Sequence, residues 1–359
     1  LVSSISIQDI SAGELQGRFS YRENDLGHLY VQGPQIDLAI DMEAKPDALL
    51  IEVVEFNYDN STLTVNGQIE IDVHQSQARA EFRVVLAELL TVNSNIVADT
   101  RGISFQAAGQ DPVTEIAPIV SLFELDPDIE PWISDYTCAS AYTLDTISGS
   151  FDYSNPFELL QTLRAKIRVT DTEYTFAQGL EPALAPETKL VFEKGILHIV
   201  PEQATFYGQG GGETWGDIAF NGEHEILTGA VNTRAQATGG ILTLLENYEI
   251  PFPFEQVEGL TDADLDLRID LETVDISASG HFTASDSKFR AGQPVLDVDF
   301  IDVSLEDTVV KINELAIGLD GLFAADVEGI IDAGRDRGEL DIDLNSFTWK
   351  QEKLEMLTS

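Results

Sequence analysis

The groups with the greatest capacity for chemistry in this chain are five histidines, one cysteine and 63 acidic residues. The histidines are scattered along the chain, at His28, His74, His198, His224 and His281. None stands in an HxH or HExxH pattern or close to Cys138, so the usual ligand spacings of a transition-metal site are missing. A single cysteine excludes an internal disulfide, and a lone cysteine is more often a small buried side chain than a nucleophile. We therefore expect no metal site and no cofactor.

The acidic residues are too numerous for any one pair to identify an acid–base site. Asp262, Asp264 and Asp266 resemble the start of a calcium-binding loop. Leu267 stands where that loop needs glycine, and Thr273 where it needs glutamate, so alternation with leucine indicates a strand instead. The chain also has no GxSxG motif. We therefore expect a protein that is not an enzyme.

The balance of charge is strongly acidic, with 20 basic against 63 acidic residues and a formal net charge of −43. Such a charge argues against nucleic acid as a partner and against a polybasic contact with anionic lipid. No stretch of about 18 apolar residues could span a bilayer. The chain begins at Leu1 without a leader pattern, so we expect it to be part of a longer or processed protein.

The elements that carry these residues are mostly strands. In ADLDLRIDL (263–271), apolar residues alternate with Asp and Arg, the pattern of an antiparallel strand with one dry face. Along VLDVDFIDVSL (295–305) the alternation changes phase, which predicts a bulge at Phe300–Ile301. Short helices are predicted within 112–137 and over 238–250, while 157–169 fits either a helix or a strand.

Glycine occurs in the middle of six alternating strands, each time on the apolar side. These glycines are Gly17, Gly67, Gly149, Gly222, Gly280 and Gly329. A glycine inside a strand usually marks a bulge, a bend or a close approach of backbones. These patterns predict a mainly β fold class, in which a long twisted antiparallel sheet is folded into an open hydrophobic trough, with a few short helices. We expect residues 1–359 to form one elongated unit with a possible sub-boundary near 110–145.

Three segments make the chain similar to a known family: LDPDIEPWISDYTCASAYTLDTISGSFDY (125–153), TEYTFAQGLEPALAPETKLVFEKGILHIVPEQATFYGQ (172–209) and TDADLDLRIDLETVDISASGHFTA (261–284). With these segments the chain resembles the AsmA-like bacterial envelope proteins, nearest the YhdP branch, and is similar in style to TamB and to bridge-like lipid carriers. The resemblance covers most of residues 120–350. It implies a β-trough that carries phospholipid through the periplasm, between inner-membrane and outer-membrane components. It also implies an inner-membrane anchor in the full-length protein that these residues lack.

The residues lead to the same mechanism, because acyl chains on an apolar trough could slide with little change in energy. The side chains expected to line this lipid groove are Val65, Gly67, Ile69, Phe220, Gly222, Leu265, Leu267, Ile269, Gly280, Phe282, Val298, Ile342 and Leu344. The alternative is a structural or adhesive envelope β-protein whose apolar faces fill one another, with calcium bound between aspartate rows. The sequence leaves both open.

Overall fold

A computed structural model describes residues 4–12, 14–22, 26–59, 62–121, 135–175, 181–220, 225–247, 254–273, 275–290, 292–319 and 321–348. Strands account for 73% and helices for 6% of the structure. The described strands belong to an antiparallel sheet of 24 strands. The prediction of a mainly β fold built on antiparallel sheet is therefore confirmed.

The strands in chain order are β1 Ser4–Ala12, β2 Leu15–Arg22, β3 Gly27–Gln32, β4 Ile36–Ala44, β5 Ala48–Tyr58, β6 Leu63–Asp72, β7 Gln77–Leu86, β8 Leu90–Ala98, β9 Gly102–Gly109, β10 Thr137–Cys138, β11 Ala141–Asp152 and β12 Arg164–Tyr174. They continue with β13 Ala183–Glu193, β14 Ile196–Glu202, β15 Thr205–Phe206, β16 Gln209–Ala219, β17 Ile226–Ala235, β18 Glu255–Glu258, β19 Thr261–Asp270, β20 Asp275–Arg290, β21 Val295–Glu306, β22 Val309–Leu319, β23 Phe323–Asp332 and β24 Arg337–Phe347. The α-helices are α1 Ala117–Val120, α2 Leu159–Thr162 and α3 Gly239–Asn247, and 3₁₀ turns lie at Pro156–Glu158 and Ala333–Arg335.

The chain divides into two compact units. Unit 1 comprises Leu1–Asp135, Ala139–Thr170 and Lys189–Leu197, and unit 2 comprises Tyr136–Cys138, Asp171–Thr188 and His198–Ser359. In unit 1, each strand from β1 to β9 pairs with the next, and β11 pairs with β9 and β12. In unit 2, β16, β17, β19, β20, β21, β22, β23 and β24 pair in that order. Each unit is thus an antiparallel meander, which places residues distant in sequence side by side.

The predicted helices are found where the structure describes them. Helix α3 confirms the helix predicted over 238–250, and α1 lies within 112–137. Residues 122–134, which complete that second prediction, lie outside the described residues. The segment 157–169, which fitted either a helix or a strand, contains one of each, because α2 ends at Thr162 and β12 begins at Arg164. No helix in the described ranges has the length and apolar character needed to cross a bilayer.

The predicted bulge is present but slightly displaced. Asp299 is an extra residue in β21, because Val298 and Phe300 pair with the adjacent residues Ile317 and Ala316 of β22. Further along, Asn313 is an extra residue in β22, opposite the step from Asp302 to Val303. The two insertions cancel, so the strands are back in step beyond Val303. The phase change in the sequence therefore reports an irregularity that two neighbouring strands share.

Two of the strand-centre glycines adopt backbone conformations that other residues avoid. Gly67 has φ +149° and Gly329 has φ +153°. Opposite each, the preceding strand carries one extra residue, between Val53 and Phe56 in β5 and between Ile312 and Leu315 in β22. The same insertion occurs in β1 opposite Gly17. At these positions the glycine allows a bulged neighbour to pair closely.

Candidate functional site

Unit 1 presents an apolar face made of three neighbouring cross-strand rows, which pass through Val65, Gly67 and Ile69. The row through Ile69 contains Met42, Ile51, Ile69, Ala80, Ile96 and Phe105. The row through Gly67 contains Ile40, Val53, Gly67, Phe82, Ser94 and Ala107. The row through Val65 contains Leu38, Phe56, Val65, Val84 and Val92. The three predicted groove residues of β6 therefore lie in one continuous surface of unit 1, because alternate residues of a strand share a face.

Unit 2 presents an apolar face of the same kind, made of four rows. One contains Val231, Leu265, Gly280, Leu305, Val310 and Ile331. The next contains Ala263, Phe282, Val303, Ile312, Gly329 and Leu340. The other two contain Ala284, Ile301, Leu315, Val327 and Ile342, and then Val298, Ile317, Ala325 and Leu344. The register thus brings six predicted groove residues into adjacent rows.

The apolar faces are only partly covered. Along β19, Ala263, Leu265 and Leu267 are half-buried, while Asp264 and Asp266 between them are exposed. Strand β2 alternates between half-buried and exposed along its whole length. An apolar face packed against a second layer would show fully buried residues at every second position. Other members of the rows are fully buried: Val53, Ala80, Val92, Ala107, Ala284, Leu305 and Ala325. Part of this surface, where the side chains are only half-buried, is therefore accessible to another apolar molecule.

The predicted groove residues differ in accessibility. Ile269 and Val298 are only 8% and 3% exposed, so they support the face from within and offer little surface. Ile342 and Leu344 lie on β24 and are 61% and 58% exposed. Leu267 pairs with Gly229 on one side and Ala278 on the other.

The remaining two predicted positions are Phe220 and Gly222. Phe220 follows the end of β16 and is 38% exposed. Gly222 and His224 lie outside the described residues.

Helix α2 covers one end of the apolar face of unit 1. A Cβ atom on Gly149 would come within 2.9 Å of Leu159 Cδ1 and within 3.0 Å of the Phe105 ring. Because Gly149 pairs with Phe105, β11 continues the Ile69 row beyond β9, and Leu159 lies over the row at that point. The glycine at this position makes room for side chains, whereas Gly67 makes room for backbone.

A buried polar network fixes the start of α3 in unit 2. The side chain of Gln256 is 2% exposed and donates from Nε2 to Ser287 Oγ at 3.3 Å. Its Oε1 accepts from Ala237 N at 3.1 Å and from Thr261 Oγ1 at 2.9 Å. Gln236, next to Ala237, donates from Nε2 to the Gly259 carbonyl at 3.1 Å. A buried amide with all these partners is well tolerated, and it attaches the segment before α3 to β18 and β20.

Four histidines lie on the polar surface, each paired with an aspartate from a neighbouring strand or turn. The nitrogen-to-oxygen distances are 2.6 Å for His28 and Asp41, 3.1 Å for His74 and Asp47, 2.7 Å for His198 and Asp217, and 3.0 Å for His281 and Asp302. Exposed pairs of this type contribute about 0–1 kcal/mol each. This pairing could not be predicted from the sequence, because the partners are 13 to 27 residues apart.

Asp302 receives a further contact. Asn313 Nδ2 donates to Asp302 Oδ1 at 2.7 Å and to Ser304 Oγ at 2.8 Å. The hydrogen bond from Asn313, with a smaller contribution from His281, holds the pKa of Asp302 below its usual value of 3.8. This carboxylate therefore organises the polar surface at the β21–β22 irregularity.

The remaining candidate groups do not assemble a site in the described ranges. No group of three His, Cys, Asp or Glu side chains within the described part of the chain could hold a metal ion. Cys138 is exposed on β10, so the expectation of a buried side chain is wrong there. A two-residue strand cannot enclose its own side chains. The accessible apolar faces are therefore the strongest candidate site.

Comparison with known proteins adds no identification: no protein-family model, curated protein or solved structure matches this chain.

Proposed function

We propose that the protein is a non-enzymatic carrier of phospholipid, whose acyl chains lie on the half-buried apolar rows of the two units. The observation that carries the proposal is the partial coverage of those rows. In β19, half-buried Leu265 and Leu267 are flanked by exposed aspartates. A sheet that filled its own interior would leave no such surface for a lipid.

The energetics favour movement along the rows over capture at one place. Burial of a methylene group contributes about 0.8 kcal/mol, so even part of an acyl chain would bind strongly. The rows in unit 2 repeat similar side chains across β19, β20, β21, β22 and β23. Because successive positions offer similar contacts, an acyl chain can advance by one strand with little change in free energy. The charged headgroup stays in water.

The cellular setting is part of the same proposal and follows from the resemblance to the AsmA-like proteins. In it, the chain works in the periplasm between inner- and outer-membrane components, attached to the inner membrane in the full-length protein. The partners are phospholipid and envelope proteins. The net charge of −43 keeps the polar surface hydrated and disfavours nucleic acid.

Site-specific photocrosslinking tests the proposal. A photoreactive amino acid is placed at Leu267 or, as the matched control, at Asp266, the next residue on the same strand but on the opposite face. We expect phospholipid adducts from position 267 and few from position 266, when the protein is purified from cells and analysed by mass spectrometry. Equal labelling at both positions would refute a face-specific lipid path.

Native mass spectrometry provides the second measurement. Co-purifying phospholipid supports the carrier proposal. A lipid-free mass, together with a melting temperature that rises with calcium, would favour the structural or adhesive alternative.

A further inference from the structure

The last described strand, β24, is exposed along its entire length. All eleven of its residues are exposed, including the apolar Leu340, Ile342 and Leu344. It pairs with β23 on one side, and no strand within the described ranges pairs with its other side. Apolar side chains of β23 in the same rows, such as Val327 and Ala325, are more covered. The difference arises because β23 has two neighbouring strands and β24 has one.

This edge lacks most of the devices that protect sheet edges from association. Natural edges are often short or carry proline, charged side chains (lysine above all) or a bulge. Strand β24 has charges of this kind in Glu339, Asp341 and Asp343, which repel an acidic strand but attract a basic one. Strand β24 contains no proline, and its one basic residue is Arg337 at its start. The strand has one bulge, at Asn345, which is the extra residue opposite the step from Ala324 to Ala325 and lies close to the end of the strand. Most of the strand is thus a regular template for one more strand.

The polar face of β24 carries acidic residues that face other acidic residues. Asp341 lies opposite Glu328, and Asp343 lies opposite Asp326 on β23. Like charges directly opposite each other on neighbouring strands are destabilising. Asn345 donates to Asp326 at 2.7 Å, but no basic side chain within the described ranges forms an ion pair with Asp341 or Asp343. A new strand with basic residues at alternate positions would supply the missing charges.

We infer that β24 docks an extended segment of a partner protein in which apolar residues alternate with lysine or arginine. The segment adds a strand through backbone hydrogen bonds. Its apolar side chains continue the rows of Leu340, Ile342 and Leu344, and its basic side chains face Glu339, Asp341 and Asp343. This inference goes beyond the carriage of lipid and does not depend on it.

Charge argues against a second copy of the chain as the occupant. The first described strand, β1, is the other candidate for such a contact, and its described side chains are Ser4, Ile5, Ser6, Ile7 and Ala12. None of these is basic. Two chains that each carry a net charge of −43 also repel one another at moderate ionic strength.

The test uses a labelled peptide of the same length as β24, with lysine alternating with valine or isoleucine, and measures binding to the full chain by fluorescence anisotropy. We expect saturable binding that weakens with salt, and at least about tenfold weaker binding when glutamate replaces the lysines. A peptide with proline at its centre should also bind at least about tenfold more weakly, because it cannot form the ladder. Equal binding of the lysine and glutamate peptides would overturn the inference.

Charge-matched variants locate the site. Asp341→Lys/Asp343→Lys should weaken peptide binding at least about tenfold, whereas Asp264→Lys/Asp266→Lys, the same charge change on interior strand β19, should leave it within about twofold. Equal losses would indicate non-specific attraction to an acidic surface and would overturn the inference.

Two outcomes would assign the edge to another occupant. Stronger binding after deletion of residues 349–359 would indicate that this segment occupies β24. A dimer in analytical ultracentrifugation that Asp341→Lys/Asp343→Lys dissociates would indicate a second copy. In either case photocrosslinking at Leu267 still tests lipid carriage separately.

Discussion

Replacement of Gly67 by alanine tests whether the strand-centre glycines are required by the backbone. Gly67 has φ +149°, which an L-residue avoids. A Cβ atom there would lie 2.9 Å from Phe82 Cα and would overlap the carbonyl oxygen of Glu81. Both atoms belong to β7, so the side chain would meet backbone that cannot rotate away. The paired strands would have to separate.

The change in the free energy of unfolding caused by Gly67→Ala follows from two opposing effects. Holding a non-glycine residue in a sparsely populated backbone conformation costs about 1–3 kcal/mol. Replacing glycine by alanine also restricts the unfolded chain, which contributes about 0.4–1 kcal/mol in favour of folding. The two effects leave a net loss of about 0–2.6 kcal/mol, and the displacement of β7 adds to it.

The matched control is Gly27→Ala, also in unit 1. Gly27 has no positive φ, and its Cβ would meet Tyr21 at 3.4 Å and backbone oxygens at 3.6 Å, which are ordinary contacts. Thermal unfolding followed by far-UV circular dichroism should show a lower midpoint for Gly67→Ala than for the parent and the control. A Gly67→Ala midpoint equal to that of Gly27→Ala would refute the argument from backbone geometry.

Two further predictions concern the polar groups. Gln256→Ala should lower stability by about 1–3 kcal/mol, because it removes the acceptor of the Ala237 amide and one of the two hydrogen bonds of the buried Ser287 hydroxyl. Hydrogen exchange at Ala237 should accelerate. Unchanged exchange there would contradict the role given to the network. The pKa of Asp302 is lowered in the folded state, so its ionised form contributes stability above the ordinary pKa of 3.8, and that contribution disappears as the pH falls through the folded pKa. The stability difference between the parent and Asp302→Asn should therefore shrink on acidification below about pH 4, as measured by urea unfolding; a constant difference would show that the carboxylate is not the source.

Much of the secondary structure was predictable because alternation has a period of two. The pattern around Leu265 identified a strand, its dry face and its wet face, and the structure has all three. The glycine at position 67 indicated a bulge, a bend or a close approach of backbones, and the structure has a bulged neighbour and a close approach there. Helix α3 was also predicted correctly, from the local sequence pattern of 238–250. In contrast, GQGGGE (208–213) would be assigned to a turn from its composition, yet only Gly208 lies in a turn and the rest belongs to β16.

The tertiary structure decided what each strand lies beside. Val298 and Ile342 occupy the same kind of alternating pattern, but one is 3% and the other 61% exposed. Strand β21 lies between two neighbours and β24 has one described neighbour, and the pattern along a strand carries no information about that number. The pairing of His281 with Asp302, and the insertion opposite Gly67, depend in the same way on register. The sequence by itself determined which way each side chain points, because that is a property of the local backbone; only the folded sheet determined what it meets, because strand pairing joins residues far apart in the chain.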